Sequence, residues 1–376
     1  MHTTVLNLAR KLINIPSISP NDFGCQEILI QRLQSYGFFI ERMNFNDTSN
    51  FWAWRGSGKT ITFLGHTDVV PAGNILDWNH PPFTSTVEHG FLFGRGAVDM
   101  KGSIAAMTVA VEKFVQKNPN HNGRISFLIT SDEESTGKNG TKRVISLLKN
   151  RKEIIDYCLI GEPTSEKVLG DCIKNGRRGS LSIDLTIYGK QGHTAYPELA
   201  VNPIHISIPF LTELSTISFD DGNDFFKPTT LQILKTSSGK KYVTNMIPGE
   251  LNISLNVRFS YLSSEKKIIN TIDMLLKKYF IKYSIRWICH ARPFFCSPDR
   301  FYNVVADSIY RQTNVTTILK TNGGTSDGRF MTDIANEIVE CGLLNSTIHQ
   351  INECVSVSDL FTLQNIYNSV LDTLLL

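Results

Sequence analysis

A histidine and a carboxylate two residues apart, His66 and Asp68, follow the apolar run of Ile61, Phe63 and Leu64. The run reads as a buried strand, and side chains two apart on a strand point to the same side. His66 is thereby placed to bind a metal ion while Asp68 reaches the same place. Acidic residues recur in comparable positions. Glu133 and Glu134 follow a short apolar strand over 124–130, and Glu162 follows another over 157–160. Asp99 lies in a glycine-rich turn ahead of a helical pattern, and His349 lies in the returning carboxyl-terminal segment. In open α/β sheets, ligands bind beyond the carboxyl ends of the strands. Imidazole and carboxylate without thiolate suit zinc or a similar divalent ion. Two histidines and three acids are too many for one tetrahedral catalytic site. They suit two ions about 3.5–4 Å apart that share a carboxylate and a water, polarise a carbonyl and acidify the attacking water.

Taken singly, each of these residues has a plainer reading. Asp99 and Glu134 could favour the starts of helices. Glu162, ahead of Pro163, could be a loop acid, and His349 a surface or core-capping histidine. Gly94-x-Gly96 is too short for a dinucleotide fingerprint. Residues 323–327, with two glycines, are a turn or a source of backbone N–H groups for an anion. The metal reading rests on the joint occurrence.

The elements that must hold these residues alternate between strand and helix. Residues 1–37 carry two helical patterns, the first ended by Pro16 and the second closed by Gly37. Strand patterns follow over 38–45, 50–55 and 60–64, then a loop rich in Pro, Asn and Asp. Ile104, Met107, Val111 and Phe114 recur at helical spacing. This alternation predicts an α/β sheet covered on both faces. Near Gly179 the pattern changes. Leu181, Ile183, Leu185 and Ile187 alternate strictly, as do Leu251, Ile253, Leu255 and Val257, with helical segments over 203–214 and 263–280 and a further strand at Tyr283, Ile285 and Trp287. The expected architecture is an α/β domain with a central, mostly parallel sheet, formed by residues 1–178 and 293–376. An α+β domain with an antiparallel sheet, residues 179–292, is inserted into it.

At 376 residues the chain exceeds the usual size of a single core, which agrees with two domains. Hydrophobic content of 41% and charged content of 19% belong to a globular chain. A net charge of +3 without a Lys/Arg run is too small to imply a nucleic-acid partner, and no apolar stretch of about 18 residues marks a membrane span. The amino-terminal segment has no small-residue cleavage site and does not read as a signal peptide. Seven cysteines without a Cys-x-x-Cys pair argue against a disulfide framework and point to a reducing cytoplasm.

The motifs GHTDVVPAG, WNHPPF, GRGAVDMKG, TSDEES, GEPTS, NGRRGS, GKQGHTAYP, TNMIPGELNISLNVRFS, NGGTSDGRF and NSTIHQINECV run through almost the whole chain. With them the chain resembles the zinc-dependent aminoacylase/carboxypeptidase family of metallohydrolases. The resemblance implies two zinc ions per subunit, with cobalt possible in one site. Asp99 would bridge them, with His66 and Glu162 completing one site and Glu134 and His349 the other. It further implies that Asp68 orients His66 and that Glu133 is the general base. The inserted domain would form a homodimer, from which His193 reaches the partner's site to stabilise an oxyanion. The implied substrate is a small N-acylated amino acid bearing several carboxylates. Arg177, Arg178 and Arg258 offer forked donors for these, and Ser180, Asn245, Gly324, Thr325 and Asn345 offer neutral hydrogen bonds. Two other classes stand beside this one. A catalytically silent dimeric binding protein would not need Glu133, and a cysteine-nucleophile amidase would not need the metal ligands.

Overall fold

Thr60–His66 is buried along its whole length, as expected of a strand covered on both faces. It lies between two parallel neighbours, Arg124–Thr130 and Ile155–Ile160. Ala335–Glu340 runs parallel to Ile155–Ile160 on the far side. Phe39–Arg42 and Asn50–Gly56 close one flank in antiparallel fashion. On the other flank, Cys172–Lys174 is antiparallel to Ala335–Glu340 and parallel to Ile318–Lys320. The result is one eight-stranded mixed sheet whose centre is parallel. The structure, a computed structural model, describes residues 4–239 and 243–376.

Large apolar side chains cover this sheet. Phe63 stacks on Phe127 with ring centroids 5.3 Å apart and meets Tyr367 edge-on at 6.0 Å. Tyr367 is fully buried and donates its hydroxyl to the Cys341 carbonyl at 2.6 Å, so the polar end of the ring is satisfied inside the core. Two glycines set the spacing of a second layer. A Cβ on Gly65 would stand 2.8 Å from Met100 Cε, and one on Gly161 would stand 2.7 Å from the same atom and 2.8 Å from Ser103 Cβ. Their missing side chains let the helix Lys101–Lys117 lie directly on the strand ends that precede His66 and Glu162.

The chain divides into two compact units. One comprises Met1–Gly176, Phe295–Lys320 and Ser326–Leu376, and the other Arg177–Phe294 with Thr321–Thr325. The second unit has its own four-stranded antiparallel sheet. Gly179–Tyr188 pairs with Glu250–Phe259 on one side and Tyr283–Ala291 on the other. Thr230–Ser237 lies outside Glu250–Phe259. The alternating apolar residues pack under the helices Pro203–Thr216 and Glu265–Lys278 through Phe210, Leu214, Ile268 and Ile272. Ser264 caps the second helix by accepting from Lys267 N–H.

Three strands of the eight- and four-stranded sheets lie outside the expected pattern. Thr230–Ser237 is exposed along most of its length, so burial left no alternation to read. Cys172–Lys174 and Ile318–Lys320 have three residues each, too few for a period. No helix among the described residues is long and apolar enough to cross a membrane.

Candidate metal centre

Parallel register brings three functional segments to one sheet edge. His66 is level with Thr130, and Leu64 is level with Ile160. Continuing two residues places Glu162 beside His66, and the turn after Thr130 brings in Glu133 and Glu134. His66 is 1% exposed. Its Nδ1 lies 2.9 Å from the carbonyl oxygen of Asp68. A carbonyl only accepts, so Nδ1 carries a proton and Nε2 is the atom turned to the site. Nε2 lies 3.2 Å from Asp99 Oδ1 and 3.8 Å from Glu162 Oε1. The other oxygen of Asp99 lies 3.3 Å from Nε2 of His349, which is itself 2.9 Å from Glu134 Oε1. Asp99 thus turns one oxygen to each imidazole.

Asp68 supports the site in two ways. Its backbone carbonyl takes the His66 ring, while its carboxylate, 3.6 Å from Nδ1, accepts from Glu134 N–H at 3.0 Å and Glu133 N–H at 3.4 Å. The sequence reading gave the carboxylate to His66 alone. The structure adds the turn that carries both glutamates. Asp132 stabilises that turn from below, bonding the Ser135 hydroxyl and accepting from Asn139 N–H at 2.9 Å.

The electrostatics follow from packing so many acids together. Burial and the neighbouring Glu162 push Glu133 well above the usual carboxylate range, and burial also raises Glu134. Burial works against ionisation of Asp99, but hydrogen bonds from His349 and His66 outweigh it and hold that carboxyl below its ordinary value. Burial opposes the charge on His66, yet Asp99 and Asp68 raise it well above an ordinary imidazole. The hydrogen bonds to Asp99 and Glu134 lift His349 to about 10.

The donor set fits divalent ions. Donor atoms of His66, Glu133 and Glu162 lie within 4.8 Å of one another, as do those of His66, Asp99 and Glu134. All are imidazole nitrogens or carboxylate oxygens, the ligands of zinc in a hydrolytic site. A void of about 10 Å³, roughly one water-sized particle, is lined by His66, Glu133, Glu162 and Asp327. The seven cysteines are unbridged, and none is in either donor group.

Asp327 was not singled out by sequence reasoning, although it lies in the 323–330 motif; its burial at this void became visible only in the structure. Arg95 and Glu353 were also passed over. Their relation spans 258 residues and leaves no local signal.

The residues expected to touch substrate lie mostly in the second unit. Ser180 faces Arg258 across the strand pair. Burial and the nearby Arg258 lower the pKa of Arg178. Arg177 is 5% exposed and donates to the Gly324 carbonyl at 3.3 Å, and Thr325 follows in the same segment. His193 and Asn245 meet at a separate two-stranded ribbon, where Gly192–His193 pairs with Met246–Ile247 and Thr194 N–H donates to the Asn245 carbonyl at 3.1 Å. The His193 and Asn245 side chains are exposed. Asn345 belongs to the first unit, its N–H bonded to the Ser165 carbonyl at 2.8 Å.

Residues 62–373 match peptidase family M20/M25/M40. A succinyl-diaminopimelate desuccinylase of Buchnera aphidicola subsp. Cinara cedri (strain Cc) is 62% identical over 376 residues, covering 100% of both chains. Another of that name, from Buchnera aphidicola subsp. Acyrthosiphon pisum (strain APS), is 50% identical over 375 residues, again covering 100% of both. Among solved structures, an M20 family metallo-carboxypeptidase from Sulfolobus solfataricus matches with a TM-score of 0.82 at 18% identity, over 98% of each chain, a likeness of fold. With a family match that takes in every proposed ligand, the chain belongs to peptidase family M20/M25/M40.

Proposed function

We propose that the protein is a metal-dependent amide hydrolase that converts N-succinyl-LL-2,6-diaminopimelate to succinate and LL-2,6-diaminopimelate, a step toward lysine and cell-wall precursors in the cytoplasm. The observation that carries this reading is the 62% identity over the full length to a desuccinylase. The complete donor set around Asp99 supports it.

In this reading His66 and Glu162 would hold one zinc ion and Glu134 and His349 the other, with Asp99 contributing to both, and cobalt could stand in for zinc in one site. When bound, the ions polarise the amide carbonyl and acidify the attacking water. Glu133 takes a proton from that water and delivers it to the departing amine as the C–N bond breaks. Its half-buried side chain lines the void beside His66 and Glu162, which supports that role. Arg177, Arg178 and Arg258 bind the substrate carboxylates, with Ser180, Asn245, Gly324, Thr325 and Asn345 completing the hydrogen bonds.

Residues 1–178 and 293–376 act as the catalytic domain, and 179–292 as the dimerisation domain. Two features of the second unit support a homodimer. Thr230–Ser237 is an exposed sheet edge, which natural proteins cover or blunt. Beside it Ile204 and Ile208 of the helix Pro203–Thr216 are 40% and 54% exposed, lining a groove of about 300 Å³ with Leu211 and Leu251. In the dimer His193 reaches the partner's site.

A substrate panel tests the reaction. Efficient turnover of the succinyl compound with little of N-acetylornithine is expected; efficient release of acetate from acetylornithine, with none of the succinyl compound hydrolysed, would replace this reading by acetylornithine deacetylation. Asp68→Ala removes the acceptor for the Glu133 and Glu134 N–H groups, and we expect turnover to fall about 10–100-fold. Its metal content, measured by atomic emission, should stay above that of His66→Ala. Full activity in Asp68→Ala would remove the supporting role from that carboxylate.

A further inference from the structure

Behind Asp99 and His349 lies a buried ion pair that the proposed chemistry does not use. Arg95 precedes Asp99 by four residues, and Glu353 follows His349 by four. Arg95 Nη1 and Glu353 Oε2 meet at 2.7 Å, with side chains 3% and 0% exposed. Each partner also reaches the backbone of the other partner's segment. Glu353 Oε1 accepts from Asp99 N–H at 3.2 Å and Val98 N–H at 2.8 Å, and Oε2 accepts from Gly96 N–H at 3.1 Å. Arg95 Nη2 donates to the His349 carbonyl at 3.3 Å and to the Pro71 carbonyl at 3.4 Å, the latter in the loop that follows His66 and Asp68. The guanidinium carbon lies 5.3 Å from the centre of the Trp78 ring.

We infer that Arg95 and Glu353 are positioning residues that set the affinity of the metal site holding His349. The inference rests on the metal-centre reading above and adds to it the device that fixes the Asp99–His349 separation. Its physical basis is reciprocity. The segment bearing Asp99 supplies the donor that holds the His349 backbone, and the segment bearing His349 supplies the acceptor that holds the Asp99 backbone. A shift of either ligand therefore breaks bonds at both. A buried pair of this kind contributes little to net stability compared with apolar residues of the same volume, and its known use is to select one arrangement among several. Lysine cannot replace Arg95 here, because a point charge lacks the fork that spans Glu353 and two carbonyls and the flat face that lies over Trp78.

The test uses the full chain stripped of metal and titrated with Zn²⁺ by calorimetry, and separately loaded with Co²⁺ for visible spectroscopy. Wild-type protein is expected to take up two ions. Arg95→Lys and Glu353→Gln are expected to weaken one of them about 10–100-fold, the usual effect of losing an outer partner of a metal ligand. The cobalt absorption assigned to that ion should change in the same variants. Arg95→Lys keeps the charge pair and decides alone should Glu353→Gln not fold. Variants that retain both zinc affinities and the wild-type cobalt spectrum overturn the proposal even if their thermal midpoint falls, because that is how a purely structural ion pair behaves. A wild-type chain that takes up no ion overturns the metal-centre reading itself, so the two failures are distinguishable.

Discussion

Glu133→Ala should keep its metal and lose about 10²–10⁴-fold in turnover number, the range a positioned general base supplies. Glu133 and Glu134 are neighbours whose N–H groups share one acceptor in Asp68, yet their side chains diverge. The Glu134 carboxylate is tied to His349 at 2.9 Å, whereas Glu133 lines the void with His66 and Glu162. Removing Glu133 leaves the contacts among Asp99, His66, His349 and Glu134 in place, so ion content measured by atomic emission should match wild type. Glu134→Ala should behave in the opposite way and lose metal first. If Glu133→Ala kept its metal and hydrolysed the succinyl substrate at the wild-type rate, the base would have to be sought elsewhere, with the buried Asp327 the first residue to test.

The second large effect is at Asp99. Its two oxygens meet two different imidazoles, at 3.2 and 3.3 Å. Asp99→Ala takes away the oxygen turned to each imidazole and leaves His66 and His349 without the partner that holds them together. Affinity for both ions should fall more than about 100-fold, beyond the loss of an outer-shell partner, and turnover with it. His66→Ala should spare one ion. Two independent zinc-binding events of wild-type affinity in Asp99→Ala would show that the ions do not share this residue.

How much of this could be read from the chain varies with the reach of each interaction. His66, Glu133, Glu134 and Glu162 were legible because each follows a short apolar strand, and the rule that ligands collect beyond strand ends needs only local pattern. Asp99 and His349 carried no decisive local signal; they became persuasive only in company. The alternating strands Gly179–Tyr188 and Glu250–Phe259 announced the second unit, since one buried face imposes period two. Thr230–Ser237 stayed hidden because it has no buried face to impose that period. Arg95 and Glu353 stayed hidden for a different reason. Neither type nor spacing marks a contact between residues 258 apart, and a buried charge is recognisable only when its burial is known.

The order of the ligands along the chain governs when the centre can be finished. A polypeptide made from its amino end has produced His66, Asp99, both glutamates, Glu162 and all of Arg177–Phe294 before His349 and Glu353 exist. Until then Asp99 has only one of its two imidazoles, and its backbone N–H lacks the Glu353 carboxylate. On the proposed ligand set, an ion captured by the growing chain would therefore meet a partial cage, and high-affinity loading would wait for the completed polypeptide.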